Sequence, residues 1–241
     1  MTKNHEGVYI AIEGGDGSGK GTQTRELVQD LTEQGFDVLA TTYPQYGKPS
    51  ARYVERYLRG EYGATNDVPA GLASLAYALD RVDYETLSNV RAHLTRPDGV
   101  VVSDRSPASN MGHQGTKLAT IDERHAFYRE IIELEYDVLR EPRPDLSIVL
   151  RVPANVAQAN VDAKDPSIRS YTTAKRDIHE EDANHLRLAL RGYNELCDLL
   201  PDEFTAIDAL DIAGNMRPVD EVHAQIMELI WLRGLLPRKL R

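Results

Sequence analysis

The chain has 241 residues, 41% of them hydrophobic, enough to bury the core of one large α/β domain or two small ones. A formal net charge of −10 argues against a nucleic-acid groove, which needs a basic face, but leaves room for a local basic pocket around a small anion. The single cysteine, Cys197, excludes an internal disulfide framework; no apolar run reaches membrane-span length and the polar stretch 1–7 has no signal-peptide core, so a soluble cytoplasmic protein is expected.

In chain order, Val8 to Ile12 is a short β-branched apolar run that predicts a buried strand. Lys20 to Glu33 carries Leu27, Val28 and Leu31 at helical spacing and stops at Gly35. Val38 to Thr42 predicts a second strand, and Tyr43 to Pro49 a loop marked by two prolines and a glycine. Ser50 is the expected N-cap of a helix to about Arg59, followed by a polar connection from Gly60 to Asp67. One long helix is expected from about Pro69 to Leu94, with Leu72, Leu75, Ala76 and Leu79 as its apolar stripe. After the Pro97-Asp98-Gly99 turn, Val100 to Val102 opens a third strand that ends at Ser103-Asp104-Arg105.

Asp122 begins another long helix, ending before Pro142, and Leu146 to Leu150 is a fourth strand. A short helix from Ala154 to Val161 follows, then a charged segment, 162–177, without apolar periodicity. The remaining expectations are a helix from about Ile178 to Leu200, a fifth strand from Phe204 to Ile207, a helix from Val219 to Leu232 and a solvated basic tail. Strands alternating with helices predict a single α/β domain over residues 1–241: a three-layer fold with a five-stranded parallel sheet and helices on both faces. Such sheets bind ligands beyond the C-terminal ends of their strands.

The strongest motif is Gly14-Gly15-Asp16-Gly17-Ser18-Gly19-Lys20-Gly21-Thr22, which follows a strand and opens a helix, the context a Walker A loop requires. Glycines let successive N–H groups converge on one anion, the helix N-terminus adds its positive end, and Lys20 reaches the β- and γ-phosphates. The usual Ser or Thr after the lysine is Gly21, so the hydroxyl nearest Mg²⁺ is expected from Thr22 or Ser18. Asp16 is a carboxylate inside an anion-binding loop. It reads either as a solvated turn residue or as a group that holds a metal, a water or a sugar hydroxyl beside the transferred phosphate, and the functional reading is favoured.

Four stretches make the resemblance specific. Glu13 to Lys20 looks like the P-loop of thymidylate kinases, and Tyr43-Pro44-Gln45-Tyr46-Gly47 is similar to that family's Phe-Pro-Arg-Tyr-Gly segment. Leu75-Ala76-Tyr77-Ala78-Leu79-Asp80-Arg81 resembles its Leu-Phe-Ala-Leu-Asp-Arg helix, and Asp104 to Gly115 its Asp-Arg-Tyr-Val-Ala-Ser-Asn motif. The resemblance implies ATP-dependent phosphorylation of dTMP to dTDP with Mg²⁺, in a homodimer. It places the acceptor within about 43–115 and a mobile lid at about 162–177.

By that resemblance Tyr77 stacks on thymine, Arg81 contacts the base, and Asp104 and Arg105 lie near the acceptor phosphate and metal. Ser109 and Asn110 fall where the family contacts the base, and His113 where some members crowd the 2′ position with a tyrosine. Tyr43, Pro44 and Tyr46 border the acceptor. From spacing alone Tyr77 reads as core, Asp104-Arg105 as a structural ion pair, and His113 as a loop histidine. Two departures weaken acceptor contacts: Ser106 stands for the family's tyrosine and Gln45 for its arginine. Positions 17 and 18 carry no arginine, so charge on the migrating phosphate is expected from Arg169 or Arg176 of the lid, with Arg151 a third candidate near the adenine.

The alternative readings are another pyrimidine nucleotide kinase (dUMP, UMP or dCMP) or a deoxynucleoside kinase with Glu13 or Asp16 as base. A GTPase is disfavoured, since no Asn-Lys-x-Asp guanine reader is present.

Overall fold

Val8–Glu13, buried along its whole length, forms β1 at the centre of a sheet in which every neighbour is parallel. The computed structural model describes residues 5–163, 177–181 and 183–237. The other strands are β2 (Asp37–Thr42), β3 (Gly99–Asp104), β4 (Leu146–Arg151) and β5 (Phe204–Asp208), in the order β2-β3-β1-β4-β5. β1 therefore lies between β3 and β4, and the crevice beyond its C-terminal end is the topological switch point of the sheet.

Side chains alternate across the strands, and each face has its own helical layer. Val8, Ile10 and Ile12 of β1 and Val100 and Val102 of β3 pack on α1 (Lys20–Glu33) and α10 (Val219–Leu232), through Leu27, Leu31, Val222, Ile226 and Ile230. Fully burying Leu27 or Leu31 stabilises the fold by about 1.5–3 kcal/mol each. The opposite face is covered by α4 (Tyr84–Leu94), α5 (Ala108–Gln114), α6 (Ile121–Ile132) and α9 (Ala183–Leu199). Gly192 lets α9 close on α5, because a Cβ there would lie 3.1 Å from the Gly112 carbonyl oxygen. The expected three-layer α/β fold with five parallel strands is the one formed.

Three local expectations are corrected. The helix predicted over 69–94 is two: α3 (Ala70–Arg81) and α4, separated where Asp83 caps α4 by accepting from the Thr86 N–H at 3.2 Å. Ser50 is not an N-cap; it lies in a 3₁₀ turn, Pro49–Ala51, ahead of α2 (Arg52–Leu58), and donates to Asp80 Oδ1 at 2.8 Å. The leucine stripe of α3 faces outward, with Leu72 62% and Leu79 55% exposed, while Ala73, Ala78, Asp80 and Arg81 face inward. The cause is Arg81, whose buried ion pair fixes the inward face of the helix.

Two further helices complete the described chain, α7 (Ala154–Asp162) and the short α8 (Ile178–Glu181), and α5 forms where no helix was predicted. All seven residues of α5 are buried, so it has no amphipathic period to read. α6 continues into a π-helical stretch, Glu133–Val138. No helix among the described residues is long and apolar enough to cross a membrane.

Candidate active site

The loop between β1 and α1 wraps the positive end of α1. Gly17 has φ of +82°, and a Cβ there would come within 2.1 Å of the Ala157 carbonyl oxygen, so the loop rests directly on the α7 backbone. Lys20 folds over the loop, its Nζ donating to the Gly15 carbonyl at 2.7 Å and lying 3.9 Å from Asp16 Oδ1. The Ser18 hydroxyl is buried with no hydrogen-bond partner among the described residues, an unmet polar group inside an anion-binding loop. At Gly21 a Cβ would sit 3.2 Å from Asp104 Oδ2, so the end of β3 brings its carboxylate to the place where the usual Ser or Thr begins. Thr22 is half-buried on the first turn of α1. A buried unpartnered hydroxyl and a carboxylate facing the loop suit a nucleotide-bound Mg²⁺.

Arg105 follows Asp104 with φ of +74°, a conformation that non-glycine residues adopt only under surrounding constraint. Its N–H donates to the Ile12 carbonyl at 3.0 Å. Its guanidinium pairs with Asp16 and reaches Gly14 O and Ser109 Oγ, each at 3.3 Å, and His113 Nε2 at 3.2 Å. Burial raises the Asp16 pKa, but Arg105 and then Lys20 outweigh it and hold the carboxyl well below the usual range. The two cations offset the repulsion expected of a carboxylate in this loop, and they make Asp16 a weak base.

Beyond Arg105 opens a cleft of about 490 Å³, counted to its mouth. It brings together Asp16, Tyr43, Pro44, Tyr46, Tyr77, Arg81, Arg105, Ser109, Asn110 and His113, so the residues predicted for the acceptor, Asp104 apart, line one cavity that reaches the phosphate loop. Tyr77 stands edge-on to Tyr57, with ring centroids 6.3 Å apart. Tyr43 is buried, which pushes its phenol up to about 12. Burial, followed by the Arg105 charge, drives the His113 pKa well below the usual histidine value.

The polar residues of the cleft are held from behind. Arg81 is 2% exposed; its Nε donates to Glu135 Oε2 at 2.7 Å, and its Nη2 lies 2.5 Å from the same oxygen but has no well-directed hydrogen bond. Asn110 donates both protons of Nδ2, to Glu135 Oε1 at 2.7 Å and to the Ser74 carbonyl at 3.2 Å. Its Oδ1 is left without a partner among the described residues. Gln45 turns away from the cleft: its N–H donates to Asp80 Oδ2 and its side-chain amide to the Asp80 carbonyl, both at 2.8 Å.

Glu13 is enclosed. It accepts hydroxyls from Ser106 at 2.7 Å, Ser109 at 2.8 Å and Tyr193 at 3.0 Å, and burial raises its pKa. The Ser109 hydroxyl is thus engaged with a carboxylate on the far side of the cleft wall. Arg151 ends β4 paired with Asn194 at 2.7 Å. The predicted lid cations Arg169 and Arg176 lie outside the described residues, as does most of 162–177. Sequence reasoning missed Glu135, Leu58, Gln114, Asp177 and His179. Glu135 belongs to no phosphate or base motif, and its π-helical turn has no sequence signature; the others join the cleft only through tertiary packing.

A Walker-type loop at a switch point, opening into a second cleft lined by an aromatic, a buried guanidinium and an amide, defines a P-loop nucleotide kinase. The sequence model described as thymidylate kinase matches residues 12–226. The chain is 33% identical over 204 residues to the thymidylate kinase of Caulobacter vibrioides, covering 85% of this chain and 89% of that one. It is 30% identical over 234 residues to that of Symbiobacterium thermophilum, covering 97% and 96%. A solved thymidylate kinase structure from Candida albicans superposes with a TM-score of 0.67 over 99% of each chain at 18% identity. The chain belongs to the thymidylate kinase family, and so to the ATP-dependent nucleoside monophosphate kinases.

Proposed function

We propose that this chain transfers the γ-phosphate of ATP to dTMP, giving dTDP and ADP, in the cytoplasm. The observation that carries the reading is the shared cavity: Asp16 of the phosphate loop and Arg105, just past β3, line the same cleft as Tyr77, Arg81 and Asn110. In that cleft Tyr77 stacks on the pyrimidine, Arg81 donates to its O4 and Asn110 Oδ1 accepts from its N3–H. Arg105 meets the acceptor phosphate, and His113 crowds the sugar's 2′ position. Residues 14–22 hold the ATP triphosphate, with Lys20 on its β- and γ-phosphates. Mg²⁺ neutralises phosphate charge when bound with ATP; Asp104, Asp16 and a hydroxyl of Ser18 or Thr22 would hold it. The charge supplied by a lid, from Arg169 or Arg176, belongs to the same proposal.

The enclosure of Glu13 and the low pKa of Asp16 argue against a deoxynucleoside as acceptor, because neither carboxylate suits removal of a 5′-hydroxyl proton. A coupled assay over dTMP, dUMP, UMP, dCMP and thymidine, each with ATP and Mg²⁺, is expected to give diphosphate fastest from dTMP and none from thymidine. Faster turnover of dCMP or thymidine overturns the assignment.

We also propose a homodimer formed through α3. Leu72, Leu75 and Leu79 recur at helical spacing on its solvent face, all exposed, and their burial against a second copy supplies the stabilisation they lack in one chain. Leu75→Glu is expected to convert a dimeric sedimentation coefficient to a monomeric one; an unchanged dimer excludes this face.

A further inference from the structure

Three of the seven histidines of the chain meet in one place outside the phosphate loop. His113 comes from the last turn of α5, His179 from α8 and His185 from the first turn of α9, and all three are at least 95% buried. One ring nitrogen from each lies within 4.8 Å of those of the other two. His113 Nδ1 and His185 Nε2 are 3.2 Å apart. Two imidazole nitrogens bound to one tetrahedral Zn²⁺ are about 3.3 Å apart, given metal–nitrogen bonds of about 2.0–2.1 Å. The spacing is that of a chelating pair; the two nitrogens now share a proton, which a metal would displace as the stacked rings turn toward it.

The outer partners are also in place. Thr116 Oγ1 holds His185 Nδ1 at 3.2 Å, which leaves Nε2 facing the cluster. Arg105 Nη1 donates to His113 Nε2 at 3.2 Å, so His113 carries its proton on Nδ1 and exchanges tautomer when a metal takes that nitrogen. The Tyr57 hydroxyl lies 2.9 Å from His179 Nε2. An acceptor at the second ring nitrogen orients a ligating histidine, and the Thr116 and Tyr57 hydroxyls offer one to His185 and His179. Three imidazole nitrogen donors select a borderline transition metal such as Zn²⁺, Co²⁺ or Ni²⁺ and discriminate against Mg²⁺, which takes oxygen.

We propose that His113, His179 and His185 bind one divalent transition-metal ion, with an open coordination position toward the cleft. The opening follows from placement, because His113 and His179 line that cleft while His185 is buried and does not. Such an ion joins α5, α8 and α9 at one point. It also changes Arg105. Metal on His113 Nδ1 leaves a proton on Nε2, which then repels the Arg105 N–H, and Arg105 turns fully to Gly14 O, Ser109 Oγ and Asp16. Metal occupancy and the acceptor side of the cleft are thereby coupled. This site does not depend on the identity of the acceptor nucleotide.

The test is titration of the chelator-treated full chain with Co²⁺, read as visible d–d absorption, with isothermal titration by Zn²⁺ alongside. The expected result is one equivalent with the strong absorption of a four- or five-coordinate site, and no competition from millimolar Mg²⁺. His185→Gln, which changes no residue lining the cleft, is expected to lose the band and weaken Zn²⁺ binding at least about 100-fold. His179→Gln serves the same purpose if the first variant does not fold by circular dichroism. His223→Gln, on another face, is expected to retain both signals. A weak octahedral spectrum in the wild type, or equal binding by the wild type and His185→Gln, overturns the proposal.

Discussion

Lys20→Ala is expected to reduce kcat/KM for the phosphoryl transfer by at least about 10²–10³-fold while leaving the fold intact. Lys20 is the ammonium of the phosphate loop; it is 7% exposed and bonded to the carbonyl of Gly15. That bond keeps the charge over the cradle before nucleotide arrives, so its stabilising effect on the transferring phosphate needs no reorganisation. The core on this face of the sheet is carried by Leu27, Leu31 and the β1 side chains, none of which rests on Lys20. A melting temperature near that of the wild type is therefore expected. Lys20→Arg should not restore activity, because a planar fork cannot occupy the site of a compact ammonium. The check is the coupled assay beside thermal unfolding; turnover within tenfold of wild type removes Lys20 from the reaction.

Glu135→Ala is the substitution with the largest expected effect on stability. Arg81 is surrounded by Glu135 and Glu141, the latter 3.5 Å from its Nε. Burial, and then the neighbouring Glu135, push the Glu141 carboxyl well above its usual range, which makes Glu141 the poorer counter-ion for the guanidinium. Removing Glu135 breaks this buried pair and leaves the guanidinium only the longer contact with Glu141, at a cost of about 3–5 kcal/mol. For a chain of this size that is roughly a 6–20 °C fall in melting temperature.

Glu135→Gln separates stability from recognition. The Ser74 carbonyl and the Glu135 carboxylate oblige Asn110 to face them with its nitrogen, and so present Oδ1 to the cleft. With Arg81 as donor, the cleft then matches the N3–H and O4 of thymine and mismatches the N3 and N4 amino group of cytosine. A glutamine amide at 135 can donate to Asn110 and reverse it. The expected outcome is a fall of about tenfold or more in the dTMP-over-dCMP ratio of kcat/KM. An unchanged ratio shows that Glu135 does not set the orientation of the amide.

What could be read in advance follows from which interactions are local. The Gly14–Thr22 loop needs only glycine spacing, a preceding strand and a following helix, and all three are contiguous. The break between α3 and α4 was hidden because helical periodicity continues through Val82 and Asp83, and only the cap of Asp83 on Thr86 interrupts it. The outward leucines of α3 look like a core stripe until Arg81 is seen bound to a carboxylate 54 residues away. Glu135 and the histidines at 179 and 185 have meaning only through distant partners, and no neighbouring residue announces them. The resemblance of four short stretches supplied the acceptor residues; tertiary structure supplied what holds them.

The seating of the phosphate loop on α7 limits how this enzyme can be altered. With the Ala157 carbonyl oxygen directly behind position 17, a side chain grafted there has no volume to enter. An arginine cannot be installed at that point of the loop without lifting it off the α7 backbone and misaiming its amides. Redesign for faster turnover has to bring positive charge from another segment of the chain.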